Sequence, residues 1–475
     1  MSIKSKTSWF FLLSTVAMLI LSSCKKQDDF LNKKRAISDV RPSTLTDFQA
    51  VLDDYFVMNF QFPTIGLAGI DNYYLTDNNF ATIDQPCAAA YLWKKDIWQG
   101  QSSWSAEWDY TYQIIEHANI VLDGLSNVSV NNSNQTLFNN IKGEALFFRS
   151  IGFYNIAQVF CKPYNSTTAA TDLGIPLRLS SDVNIKSTRA SVLDTYNQII
   201  NDLQSAIQLL PQTPSAPQLT MRPSQASANA LLAKVYLAMN DYQNAYTFSN
   251  NSLTLYSNLL DYNNTTLISA TSTFAFPSFP NNPEITFYAY GNPILAYYVA
   301  VPAYNVSTVD STFYNTYDPN DLRKSLYYYS NGGRISFRGT YSGTSTTFCG
   351  IATDEVYLIR AETAARMGNT ASALSDLNLL LSKRFKSGTY SPITTITQSD
   401  LITKILLERR KELPFTGQMR WEDLRRLNMD PNYAITLIRK TNGVTYTLPP
   451  NDPNYVYPIP DNEIQLSGIE QNPRH

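Results

Sequence analysis

Apolar residues recur every three or four positions through several long stretches of this chain. In residues 191–210, Val192, Tyr196, Ile199, Ile200, Leu203, Ile207 and Leu210 fall on one face, which predicts an amphipathic helix. Ser191 and Asp194 stand where a capping box would open it, and Pro211 where the chain must leave it. Residues 141–159 place Ile141, Ala145, Phe148, Gly152, Ile156 and Val159 at helical spacings, and residues 228–239 do the same with Ala228, Leu231, Leu232, Val235 and Met239.

The helical pattern repeats. Shifting the chain against itself by 128 residues lays Ala233 on Ala361, Met239 on Met367 and Ala245 on Ala373, with the turn Asn240-Asp241 over Gly368-Asn369. Small residues at those points let two helices approach closely, which is the packing logic of tetratricopeptide repeats of about 34 residues. Residues 104–160 and 400–427 read as two more degenerate pairs, the second broken at Pro414. The expected fold class is therefore mostly α, with about four tetratricopeptide-like pairs forming a superhelical scaffold over approximately 104–256 and 350–428.

Two stretches lack the helical period. Residues 60–103 and 257–349 are rich in Tyr, Phe, Ser, Thr, Asn and Pro and read as loops with short strands, Glu284 to Tyr290 among them. Binding tends to live on such loops while rigid elements position them.

The N-terminus has a different character. Lys4 and Lys6 precede the apolar run Trp9 to Leu21, too short to span a bilayer but of signal-peptide length. The run ends in Leu21-Ser22-Ser23-Cys24, which resembles a bacterial lipoprotein box, so residues 1–23 read as a removable leader and Cys24 as the lipidated N-terminus of a single domain, 24–475. Several acyl chains, at roughly 0.8 kcal/mol per buried CH₂, would anchor the protein to a membrane. Asp28 and Asp29 weakly resemble the acidic cluster that accompanies surface export.

Composition narrows the chemistry. Of 475 residues, 44% are hydrophobic and only 16% charged, and the formal net charge of −2 falls further once Lys4 and Lys6 leave with the leader. No basic field remains to neutralise phosphates, which excludes nucleic acid as a partner. With two histidines, His117 and His475, histidine-based metal or nucleophile chemistry has little to draw on. Cys87, Cys161 and Cys349 share no metal-ligand spacing and read as buried thiols or one incidental disulfide. Glu408, Glu412, Glu422 and Asp423 lie among arginines and read as ion-paired, and no nucleophile or phosphate-loop motif is present, so no enzyme and no cofactor is expected.

The chain does carry 31 Tyr, 23 Phe and 6 Trp. Sugars present apolar C–H faces and hydroxyl edges, so a saccharide site needs flat rings beside planar hydrogen-bonding groups. Tyr73 and Tyr74, flanked by Asn72 and Asp77, fit that mixture, as do Trp93 and Trp98 and, in the second irregular stretch, Tyr297, Tyr298 and Tyr304, with Tyr288 and Tyr290 nearby. Trp104 and Trp108 are four apart at a helix start and read as core anchors.

Several motifs then appear in a fixed order: Gly143-Glu-Ala-Leu-Phe-Phe-Arg149, Gly174-Ile-Pro-Leu177, Glu355-Val-Tyr-Leu-Ile-Arg-Ala-Glu362, Leu407-Glu-Arg-Arg-Lys-Glu-Leu-Pro-Phe415, Gly417-Gln-Met-Arg-Trp-Glu-Asp-Leu-Arg-Arg426 and Tyr457-Pro-Ile-Pro-Asp-Asn-Glu463. This order resembles the SusD/RagB family of Bacteroidetes nutrient-binding lipoproteins. The resemblance implies a SusD-like fold, a cell-surface location on the outer membrane, glycan capture and a SusC-like TonB-dependent transporter as partner. Peptide capture on the same fold, or a repeat scaffold that binds proteins and no small ligand, are the alternatives. The resemblance carries Glu408, Arg409, Trp421 and Asp423 as structural residues, and some members hold calcium, whose ligands the sequence does not place. The chain departs from the family at its end, Asn472-Pro473-Arg474-His475 standing where Asn-Pro-Gly-Tyr is usual.

Overall fold

A computed structural model describes residues 42–99, 106–291 and 306–475. The leader, Cys24, Asp28, Asp29, Trp104, Tyr297, Tyr298 and Tyr304 lie outside the described residues. The long helices are α1 (Leu45–Leu52), α2 (Ala106–Leu125), α3 (Gln135–Phe160), α4 (Val192–Leu209), α5 (Gln225–Ala238), α6 (Tyr242–Leu255), α7 (Thr353–Arg366), α8 (Thr370–Ser382), α9 (Gln398–Glu412) and α10 (Met419–Leu427). Helices adjacent in sequence pack on one another from α2 to α8, so α6 meets α7 across the long irregular stretch between them. None of the helices described is long and apolar enough to cross a membrane.

The 128-residue shift superposes two of these pairs closely. α5 and α7 end in the caps Met239 and Met367, and each turn uses a left-handed residue, Asn240 at φ 59° and Gly368 at φ 82°. Asp241 and Asn369 then cap α6 and α8 by accepting from Asn244 N at 3.1 Å and Ser372 N at 3.2 Å. Ala233, Ala361, Ala245 and Ala373 are completely buried, as close helix contact requires.

α4 spans the expected range, with Val192, Tyr196, Ile199 and Leu203 buried. Its cap is half a capping box. Asp194 N donates to Ser191 Oγ at 3.0 Å, but the Asp194 carboxylate takes the Ser191 hydroxyl at 2.7 Å instead of the backbone N–H.

The strands are short ribbons: β1 (Tyr73–Tyr74), β2 (Ile285–Phe287), β3 (Thr308–Val309) and β4 (Ile351–Ala352), with β1 pairing β3 and β2 pairing β4, both antiparallel. Three local ribbons join 173–176 to 189–191, 328–331 to 334–337, and 437–441 to 444–448.

Buried ion pairs stitch the irregular stretch to the scaffold. Arg323 is wholly buried and donates to Asp321 at 2.7 Å, Glu412 at 2.8 Å and Glu408 at 2.5 Å. Arg384 bridges Glu412 and Glu284, each at 2.6 Å. Arg409 and Arg426 share Asp423 and reach Glu355 and Glu362 on α7. Such groups are taken out of water at high cost, and removing one partner strands the other, at about 3–5 kcal/mol. The acidic and basic residues of the 407–426 motifs thus serve the fold.

Three details differ from, or sharpen, the sequence reading. His117 is helical but half-exposed, its Nδ1 2.9 Å from Gln113 O, and does not face the core. All three described cysteines are free thiols. At the C-terminus, Arg474 is buried and donates to Val456 O at 2.5 Å with its guanidinium 5.7 Å from the Tyr457 ring, while Asn472 Nδ2 holds Phe160 O and Tyr457 O.

Candidate functional site

The two irregular stretches meet along a seam. On β1 and β3, Tyr73 faces Val309 and Tyr74 faces Thr308, and Asp310 N donates to Asn72 O at 2.9 Å. Farther along, Tyr290 N donates to Asn59 O at 2.6 Å, Phe62 N to Tyr290 O at 3.2 Å, and Asn79 Nδ2 to Val306 O at 2.7 Å. Gly291 pairs with Phe62, and a Cβ on it would stand 2.2 Å from Thr64 Cγ2, so this approach admits glycine alone. The chain therefore enters and leaves the stretch carrying Tyr297, Tyr298 and Tyr304 from one seam.

Scaffold residues hold the seam from behind. At the start of α2, Glu107 accepts from Thr64 N at 2.6 Å and Ile65 N at 3.1 Å. Burial pushes its carboxyl up to about 7, and these hydrogen bonds only partly oppose that. Asp71 receives Arg420 through two bonds of 2.8 Å and Arg410 at 3.1 Å. Burial raises the Asp71 carboxyl, but the two guanidiniums outweigh it and hold it well below the usual range. Asn72 is fully buried, accepting from Arg410 Nε at 2.8 Å and donating to Pro414 O at 2.5 Å.

Most of the candidate rings point inward. Tyr73 is 3% exposed with its hydroxyl on Ala68 O at 3.0 Å, Trp93 donates Nε1 to Gly69 O at 3.0 Å, and Trp98 donates to Pro458 O at 2.9 Å with 1% exposure. For Tyr73 and Trp93 the cause is Arg439, whose guanidinium lies 3.6 Å from the Tyr91 ring centre, 4.7 Å from Trp93 and 5.3 Å from Tyr73 while donating to the carbonyls of Ala68, Ile70 and Tyr91. A cation of the same chain occupies the faces of Tyr73 and Trp93, and Trp98 is buried on its bond to Pro458 O, so Trp93, Trp98 and Tyr73 are corrected from ligand platforms to core residues. Asn72 becomes a positioning residue, and Tyr288 and Tyr290 join the core against Phe279 and Phe348.

Tyr74 and Asp77 remain at the surface. Tyr74 is 45% exposed. Asp77 is exposed, and its carboxylate accepts from Thr441 Oγ1 at 3.0 Å and Asn442 N at 2.8 Å. The structure adds Phe56, 79% exposed, whose ring is 5.9 Å from Phe60, itself 4.7 Å from Tyr290 and hence from the seam. Nothing local in the sequence signals that Phe56 faces outward. This surface offers, among the described residues, the ring faces of Tyr74 and Phe56 and the carboxylate of Asp77. Among the described residues no group of three or more His, Cys, Asp or Glu side chains is placed to hold a metal ion.

Comparisons with known proteins agree with this architecture. Residues 29–237 match the family model described as starch-binding associating with outer membrane, and residues 284–475 match that of the SusD family. The chain is 26% identical over 384 residues, 68% of its length, to 72% of a SusD-like protein from Formosa agariphila. Among solved structures, a SusD superfamily protein from Bacteroides thetaiotaomicron superposes with a TM-score of 0.71 at 24% identity, covering 91% of this chain and 100% of that one. A SusD-like carbohydrate-binding protein from Bacteroides vulgatus gives 0.68 at 21% identity, over 90% and 96%.

Proposed function

Because this chain belongs to the SusD/RagB family, we propose that it is a surface lipoprotein, anchored through Cys24, that captures oligosaccharide and delivers it to a SusC-like TonB-dependent transporter. The family is one of carbohydrate-binding proteins associated with the outer membrane. Capture takes place at the seam, without chemistry on the ligand. The ring of Tyr74 stacks on a sugar face, Asp77 and neighbouring amides take hydroxyls, and Tyr297, Tyr298 and Tyr304 complete the platform.

One observation carries this reading. The seam that exposes Tyr74 also holds both ends of the stretch bearing the other three tyrosines, β1 and Asn79 pairing with residues 306–309 at one end and Phe62 with Gly291 at the other. Stacking on one such ring contributes about 0.5–1.5 kcal/mol, so several together give useful affinity from a preformed surface. Competition of plant, host and microbial oligosaccharides against mixed peptides for the full chain tests it. Oligosaccharides should bind and peptides should not displace them; capture of peptides alone would replace the reading with its closest rival.

A further inference from the structure

Away from the seam, a cavity of about 670 Å³ opens between the loop after α3, the end of α10 and the last residues of the chain. It is as large as cavities that bury drug-sized ligands. Its wall shares no residue with the seam. α10 turns Arg420 toward Asp71 and, five residues on and about 8 Å along the axis, places Arg425 in the cavity wall.

The wall offers no free cation to an anion. Lys162 at the rim is held by Asp172 at 2.6 Å, and Thr168 Oγ1 donates to the other oxygen of that carboxylate at 2.6 Å. Arg425 is 2% exposed and turns both terminal nitrogens to main-chain carbonyls, those of Gln158 and Cys161. Its Nε–H is buried as well and closed off from the cavity. Asp452 and Glu470 on the rim add negative charge. The rest alternates groups that suit a sugar. Asn428 accepts from Ile435 N at 3.2 Å and Asn451 donates Nδ2 to Asn428 O at 3.0 Å, which fixes two neutral amides in the wall, and Pro163, Pro453 and Pro473 supply apolar C–H surface.

We propose that this cavity is a second binding site, for a neutral saccharide of one or two rings, independent of the seam. The rim carboxylates of Asp452 and Glu470 repel uronates, and the paired charges of the wall leave hydroxyl-type recognition.

Calorimetric titration of the full chain with maltose and cellobiose as neutral probes and sodium galacturonate as the anionic one tests this. Thr171→Trp and Glu470→Trp each place an indole at the exposed mouth from a different segment of the chain, so a misfolded variant in one segment leaves the other informative. The neutral probes should bind to wild type and weaken at least tenfold in the blocked variants, while Tyr74→Ala leaves this event unchanged. Equal binding in wild type and both blocked variants, or stronger binding of galacturonate than of either neutral sugar, overturns the site. Loss in Tyr74→Ala alone would support the seam and remove the cavity; loss in the blocked variants alone supports the cavity, and capture at the seam is then read from a separate event lost in Tyr74→Ala.

Discussion

Tyr73 and Tyr74 are consecutive residues of β1, yet one is 3% exposed and the other 45%. Alternation along a strand sends successive side chains to opposite faces, so two tyrosines with the same neighbours serve different ends. Tyr73 joins Tyr91 and Trp93 around the buried guanidinium of Arg439 and fixes the shape of the first irregular stretch. Tyr74 faces solvent on the ribbon that borders the second. The inward cluster makes the platform, and the outward ring uses it.

Breaking the inward side should have the largest effect. Arg439→Ala leaves the carbonyls of Ile70 and Tyr91 without their donor, each at about 1–3 kcal/mol, and takes one of two donors from Ala68 O, so a loss of stability on the order of 4 kcal/mol is expected in denaturant unfolding. Trp93→Ala should cost about 3–5 kcal/mol in the same measurement, and any loss of ligand binding there should follow loss of fold.

The buried carboxyl of Glu107 supplies the next effect, with a definite sign. Its folded value of about 7 lies above the ordinary 4.5, so the unfolded chain releases this proton first. Stability contributed by the protonated form is complete below about pH 4.5 and declines as pH rises to about 7, by up to about 3 kcal/mol. Glu107→Gln should flatten the unfolding free energy across that window relative to wild type.

On the outward side, Tyr74→Ala should lower oligosaccharide affinity about tenfold, equivalent to about 1.4 kcal/mol, while stability changes by about 0.5 kcal/mol or less. Smallest of all, Tyr73→Phe removes only the bond to Ala68 O and should cost about 1 kcal/mol of stability, with affinity unchanged.

The same contrast explains what the sequence made legible. α4 and the repeated pairs α5–α6 and α7–α8 are written locally, because a 3.6-residue period, a cap and a small residue at the crossing are all read within one segment. The pairing of acids and bases over 408–426 was legible in kind but not in partner, since Arg410 and Arg420 turn to Asp71 near the other end of the chain. Ring direction was not legible. Trp93 and Trp98 sit in the same mixed local company, Tyr91 and Leu92 beside Lys94, Lys95 and Asp96, whether they face water or core, and the deciding neighbours, Arg439 and Pro458, arrive from the far end of the sequence. Phe56 escaped notice for the converse reason, being an apolar residue that the fold leaves outside.

Amide hydrogen exchange on the full chain, with and without a bound oligosaccharide, tests the seam most directly. Exchange should slow on ligand addition in residues 72–79 and 306–310, the two sides of the β1–β3 ribbon. Unchanged exchange across that ribbon, with the ligand demonstrably bound, would contradict the assignment of capture to it.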